Sequence, residues 1–229
     1  MKQWNKVFKK HGKVFLEPQE EIVRIVNVFK KNRVKKVLDL GCGLGRHIVY
    51  FTKHGFNTYG IDIAGEGINL TKKWLKDEGL KADLKVGNIY KKLPYKNDSF
   101  DAVISTQALH HEVIEKIREA IKEIERVLIP NGFVFITFRK RKFRKFYPNL
   151  TIVEKYGKQK TNYKVIAPRT YMPVEGGEKD LPHYLFNREI VGKEFKNFKN
   201  RKIWVDSKKR HYCFLGQLKT VKGFKGPTP

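Results

Sequence analysis

Two spacings of apolar residues alternate along the first 140 positions. Ile22, Ile25, Val26 and Phe29 recur at helical intervals behind Pro18, with Glu20 and Glu21 at the start and Lys30 and Lys31 at the end. This predicts a helix whose terminal charges complement its dipole. Val37, Leu38 and Leu40 then crowd together without helical spacing, and Gly41, Gly43 and Gly45 follow at alternate positions. That order predicts a buried strand feeding a tight turn. The segment 46–53 carries Ile48, Val49 and Phe51 and no breaker, and Gly55 stands where a left-handed helix stop is wanted, so a helix should leave the turn. Residues 1–17 hold isolated large apolar residues, Trp4, Val7, Phe8, Val14 and Phe15, with no decisive period.

The alternation continues. A strand over 57–63 ending on Asp62, a helix over 66–78 stopped by Gly79, and a strand over 82–86 are expected in turn. The turn cluster 93–99 precedes a strand over 100–105. Behind it, Ile114, Ile117, Ile121, Ile124, Val127 and Leu128 mark a strongly amphipathic helix that should stop at Pro130-Asn131-Gly132. A fifth strand is read over 133–138. The expected class is α/β, a Rossmann-like, doubly wound, mainly parallel sheet with helices on both faces. After Arg139 the periodicity fails: 148–182 is rich in Tyr, Pro and Gly and reads as a long loop. A short helix over 187–198, with Asn187 as N-cap, and strands over 201–205 and 211–218 close the chain as an antiparallel hairpin. One domain over 1–229 is expected: an N-terminal helical segment (1–35) that is a candidate lid, a cofactor-binding core (36–138), a basic insertion (139–186) capping the substrate, and the helix and hairpin (187–219).

Composition alters this picture mainly through charge. At 229 residues the chain can bury one sizeable core. Cys42 and Cys213 make no disulfide framework, and no apolar stretch reaches the length of a signal or membrane segment, so a soluble, cytoplasmic protein is expected. The net charge is +26, and 139–229 alone holds 24 Lys+Arg against 7 Asp+Glu. Lysine-rich thermostable surfaces normally carry glutamate as well. The shortage of acid where the base concentrates therefore sets an anionic partner such as RNA beside plain solvation as a reading of that charge.

The glycine turn carries the chemistry. A strand, a glycine-rich turn and a helix N-terminus together expose backbone N–H groups that seat an anion. A dinucleotide fingerprint, however, wants its third glycine where Arg46 stands, which disfavours a dehydrogenase. Asp39, just ahead of the glycines, would repel a pyrophosphate and suits an ammonium or sulfonium. Val-Leu-Asp-Leu-Gly-Cys-Gly-Leu-Gly (37–45) resembles the first motif of class I S-adenosylmethionine-dependent methyltransferases of the type 11 kind. Leu-Pro-Tyr (93–95) with Ser-Phe-Asp-Ala-Val-Ile-Ser (99–105) is a second match in the right order. The resemblance implies S-adenosyl-L-methionine as cofactor, held by Asp39, Gly41, Gly43, Gly45, Arg46, Asp62, Asn88, Ile89 and Thr106. Arg46 would meet the methionine carboxylate and Asp62 the ribose. The family commonly has aspartate where Asn88 stands, and an asparagine carbonyl can accept the same adenine hydrogen bond.

Methyl transfer from a sulfonium needs positioning and, for a poor nucleophile, a general base. His110, His111, His183 and Tyr171 are the catalytic candidates; of the adjacent pair at most one should face the acceptor. The histidines are scattered in sequence and no Cys/His spacing fits zinc, so no metal site is expected. The run Arg139, Lys140, Arg141, Lys142, Arg144 and Lys145, interleaved with Phe143 and Phe146, is the candidate RNA contact. A small-metabolite methyltransferase, or a catalytically silent nucleic-acid-binding module on the same fold, are the alternative functions.

Overall fold

The computed structural model describes residues 2–11, 16–140, 151–156 and 159–220. Elements appear in the expected order: α1 (Lys2–His11), α2 (Glu20–Lys31), β1 (Lys36–Leu40), α3 (Arg46–Lys53), β2 (Asn57–Asp62), α4 (Gly65–Asp77), β3 (Asp83–Val86), β4 (Phe100–Thr106), α5 (Ile114–Val127) and β5 (Leu128–Arg139). β6 (Thr151–Tyr156), β7 (Gln159–Ala167), β8 (Thr170–Pro173), β9 (His183–Tyr184), α6 (Arg188–Glu194), β10 (Phe198–Val205) and β11 (His211–Leu218) complete the described chain.

The main sheet has the order β10-β11-β5-β4-β1-β2-β3. β1 to β5 run parallel, and β11 enters antiparallel to β5 and pairs antiparallel with β10. The period-two side-chain alternation of β1 divides the core. Leu38 and Leu40 join Ile117, Ile121 and Ile124 of α5 on one face; Val37 joins Ile22, Ile25, Phe29 and Phe51 of α2 and α3 on the other. The doubly wound, mainly parallel sheet with a C-terminal hairpin is thus as the sequence predicts.

Two sequence expectations are corrected. Helix α5 ends at Val127 and the chain is already strand at Leu128. Pro130-Asn131-Gly132 lies inside β5, where the register against β4 shifts between Phe100 and Ala102 and Asn131 takes a positive φ of 64°. The segment read as a long loop instead forms a second, four-stranded antiparallel sheet, β6-β7-β8-β9. Tyr163 and Val165 of β7 are buried with Lys164 exposed between them, so a period-two pattern was present but short. Tyr163, Val165, Tyr171 and Leu185 pack together in a small core of their own.

This second sheet is tied to the C-terminal edge of the first, where open α/β sheets bind ligands. The Tyr184 N–H donates to the His110 carbonyl (2.8 Å) and Phe186 stacks on Phe138 with ring centres 4.0 Å apart, while within the second sheet the Leu185 N–H donates to Arg169 O (2.8 Å). Asn187 caps α6 by accepting from the Ile190 N–H at 2.8 Å, as expected, though the helix is shorter than predicted. The N-terminal residues without a clear period include a helix, α1, fastened to the start of α4 by the Glu66 N–H, which donates to Asn5 Oδ1 (3.0 Å).

Candidate functional site

The glycine turn after β1 needs glycine for steric reasons. Gly41, Gly43 and Gly45 have φ of 77°, 55° and 74°, in the left-handed region where a Cβ is strained. A Cβ on Gly41 would stand 2.4 Å from Ala108 Cβ, and one on Gly45 2.1 Å from Thr71 Cγ2. Gly41 is held close to the loop that follows β4; Gly45 lets α3 approach α4.

A cavity of about 690 Å³ opens over this turn, walled by Gly41, Gly43, Arg46, Asp62, Asn88, Ile89 and Thr106 from the main sheet and by Trp4 and Phe8 from α1. Seven of the nine residues proposed for the cofactor therefore line one space. The other two stand behind it. Gly45 packs on Thr71, and Asp39, only 1% exposed, points with Val37 to the α3 side of the sheet. Among the described residues neither Asp39 oxygen has a hydrogen-bond partner, and His47 Nδ1 is 3.9 Å away. Burial pushes the Asp39 carboxyl up to about 8; the neighbouring Asp62 carboxylate adds to this, and the Arg46 guanidinium opposes it.

Asp62 is committed to the turn as well as to the cavity. Its Oδ2 accepts from the Gly43 N–H (2.8 Å) and its Oδ1 from the Ala64 N–H (2.7 Å). Burial raises its pKa while these two bonds lower it. Each oxygen keeps a further lone pair for a ligand hydroxyl. Asn88 Oδ1 accepts from the Tyr90 N–H (2.9 Å), so the carbonyl assigned to adenine is shared with the backbone.

His47 escaped the sequence reading, although it directly follows Arg46 in the first turn of α3. It is buried, lines the cavity, and its pKa is driven well below the usual value by burial and then by Arg46. Nε2 accepts from the Gln19 N–H (3.4 Å), so Nδ1 carries the proton and donates to Thr106 Oγ1 (3.1 Å). Gln107 was missed too. It takes a φ of 56° at the end of β4, lines the cavity, and its Nε2 lies 2.8 Å from His211 Nε2, while His211 Nδ1 is 2.7 Å from Asp206 Oδ2.

At the other end of the cavity, the acceptor candidates come together. His110, His111 and His183 are buried, and their ring nitrogens include one from each residue that lie within 4.8 Å of one another. Ring centres are 4.2 Å apart for His110 and His111 and 4.7 Å for His111 and His183. Of the adjacent pair only His111 lines the cavity. The histidines, scattered in sequence, are gathered in space. His110 and His111 lie in a turn, where the His111 N–H donates to Ala108 O at 3.1 Å, so their side chains do not diverge as they would in a helix or strand. β9 then brings His183 beside them. Tyr171 is paired with His183 across β8 and β9 and is buried in the small core; Tyr163 and Glu178 take the place on the cavity wall that Tyr171 was expected to fill. Arg139 also lines the cavity; Lys140 follows it, its N–H donating to Arg210 O (2.8 Å). Arg141, Lys142, Arg144 and Lys145 lie outside the described residues.

Residues 38–136 match the family model described as "Methyltransferase domain". That stretch, under half of the chain, runs from β1 into β5 and contains the glycine turn. Norajmaline N-methyltransferase of Rauvolfia serpentina is 30% identical over 122 residues, 51% of this chain and 41% of that protein. Probable tRNA methyltransferase 9B of Homo sapiens is 32% identical over 101 residues, 44% of this chain and 20% of that protein. The chain spans less than half the length of these two curated relatives. An S-adenosylmethionine-dependent methyltransferase structure from Clostridium acetobutylicum ATCC 824 superposes with a TM-score of 0.68 at 14% identity, covering 95% of this chain and 98% of that one. The matched stretch holds the glycine turn and most of β1 to β5; β10 and β11 of the main sheet, and the second sheet with Tyr163, Glu178 and His183, lie beyond residue 136. S-adenosylmethionine is the cofactor for which the Clostridium structure is named, and the residues here fit it. The cradle has room only for glycine at Gly41, and Asp39 is a buried carboxylate that a cationic neighbour would stabilise. No described helix is long and apolar enough to cross a membrane.

Proposed function

We propose that the chain is an S-adenosylmethionine-dependent methyltransferase acting on RNA. The observation that carries the RNA reading is Arg139. It stands in the wall of the cavity and also begins the densest basic run of the chain. A phosphate held by Arg139 would leave its nucleotide within reach of the cavity, and the basic excess over 139–229 would track the rest of the backbone. One relative named as a probable tRNA methyltransferase supports the same substrate class.

The cofactor supplies the activated methyl group, so the protein's part is placement. Asp62 holds the glycine turn in shape through Gly43 and Ala64 and offers its remaining lone pairs to the ribose. Arg46 offers its guanidinium to the cofactor carboxylate. Asp39 stands behind the wall, its carboxyl raised to about 8 by burial, and its ionised form is the one that a cationic ligand favours. Trp4 and Phe8 line the cavity from α1 and would shield the cofactor from water. His111, lining the cavity with His110 and His183 behind it, is placed to take a proton from the acceptor.

The reading is tested by incubating the full chain with bulk tRNA and radiolabelled S-adenosylmethionine. Label in the RNA, lost in Asp62→Ala, is the expected result. Cofactor binding with no label in any RNA, and label appearing in a small-molecule extract, would replace RNA by a metabolite acceptor.

A further inference from the structure

Three imidazoles rarely share a buried corner without a common task. His110 and His111 come from the turn after β4, and His183 from β9 of the second sheet. All three are at most 8% exposed, with one nitrogen of each inside a 4.8 Å span. Two independent backbone links fix the arrangement: the Tyr184 N–H to the His110 carbonyl (2.8 Å), and the pairing of His183 with Tyr171 across the sheet. A carboxylate stands next to them, Glu178 Oε2 lying 3.5 Å from His183 Nε2, and Glu178 and His111 both face the cavity.

We propose that His110, His111 and His183 bind a divalent first-row transition ion, zinc first among them, at the acceptor end of the cavity. Zinc takes nitrogen ligands at about 2.0–2.1 Å, which sets tetrahedral nitrogens about 3.3 Å apart, so rotation of the three rings by roughly 1.5 Å closes the site. Three imidazoles with one position left open is the donor set of a catalytic rather than a structural zinc. Imidazole also suits iron, nickel and copper, whereas magnesium and calcium want oxygen. Glu178 is placed as the fourth ligand or as the partner of a bound water. The side of the cluster marked by His111 and Glu178 opens on the cavity, so the vacant position would meet the acceptor.

The catalytic role of the ion rests on the methyltransferase reading; its binding does not. With the ion bound His111 is a ligand and no longer the base, and an acceptor X–H group on the ion would lose its proton to Glu178 or to solvent more readily. The freed lone pair on X then forms the bond to the methyl carbon as the carbon–sulfur bond breaks. The sulfonium leaves as a neutral thioether, and the released proton balances the charge.

The test uses the full, tag-free chain, stripped with chelator and titrated with Zn²⁺ by equilibrium dialysis and with Co²⁺ by visible absorption. One equivalent per chain, with the intense bands of tetrahedral cobalt, is expected. His183→Ala should weaken binding by more than the roughly 10- to 100-fold that losing an outer hydrogen-bond partner of a ligand costs, and Glu178→Gln by about tenfold. S-adenosylmethionine binding by calorimetry should survive in both variants and reports folding; should His183→Ala fail to fold, His110→Gln takes its place. No stoichiometric Zn²⁺ or Co²⁺ binding by the wild type, or binding that none of these substitutions alters, would overturn the proposal and leave the histidines as a proton relay. Cofactor binding, measured separately, tells that failure apart from a failure of the methyltransferase assignment.

Discussion

Asp39 is the residue whose chemistry the fold changes most. Its carboxyl is raised to about 8 by burial, then by Asp62, so the fold favours its protonated form. The resulting stability is fully present below the ordinary carboxylate pKa, near 4, and is lost as pH rises through about 8. Asp39→Asn keeps the shape without the ionisation. It should match wild type in urea unfolding at pH 4 and exceed it at pH 9 by about 2 kcal/mol or more. It should also bind S-adenosylmethionine more weakly above pH 8, because the charge facing a cationic ligand is gone. An equal stability difference at both pH values would show that Asp39 does not titrate there. For Asp62 two roles coincide: Asp62→Ala removes the acceptor for Gly43 and Ala64 together with the ribose contact proposed for it. Cofactor affinity and stability should fall together, by on the order of 1.5 to 3 kcal/mol for each charge-assisted bond lost. Calorimetry finding wild-type affinity would remove Asp62 from the site.

Among the elements, α1 is the one whose position depends most on others. Ten residues are too few for a stable isolated helix in water. It is held by Phe8 against Leu44 and Ala64, by Trp4 against Phe8 with ring centres 5.7 Å apart, and by Asn5 against α4. Phe8→Ala should free it at a cost of roughly 3 kcal/mol in local packing. Amides of α1 should then exchange faster while those of β1 and β4 stay protected, and cofactor affinity should drop as the cavity loses its cover. Unchanged exchange in α1 would mean that other contacts hold it. The second sheet is the complementary case: its strands carry little periodicity alone, and Tyr163, Tyr171, Val165 and Leu185 supply its stability by packing on one another.

At the scale of the whole molecule, charge is the dominant property. With a net +26, and Arg139 on the cavity wall, RNA affinity should fall steeply with salt, the slope growing by about 0.7 for each single-strand phosphate contact. Replacing Arg139, Lys140, Arg141, Lys142, Arg144 and Lys145 with serine should flatten that slope and weaken binding across many sequences. Filter binding that returns the wild-type slope from the substituted protein would make the basic surface a matter of solvation alone.

The sequence by itself determined the main sheet, its order of elements and the grouping of Arg46, Asp62, Asn88 and Thr106 around one cavity. Those features rest on local rules: the apolar run of 37–40, the helical spacing of Ile117, Ile121 and Ile124, and glycines where only glycine tolerates a positive φ. Asp62, Arg46, Asn88 and Thr106 were legible because the strand ends that carry them are legible. Tertiary structure alone decided the rest. Which face Asp39 takes depends on the pleat of β1 between two helical layers. The proton on His47 Nδ1 depends on Gln19. The gathering of His110, His111 and His183 depends on a turn and on a strand from another sheet, joined by the Tyr184 hydrogen bond to His110. Contacts between residues far apart in sequence leave no local period to read, because their geometry is fixed only when the sheets that carry them pack.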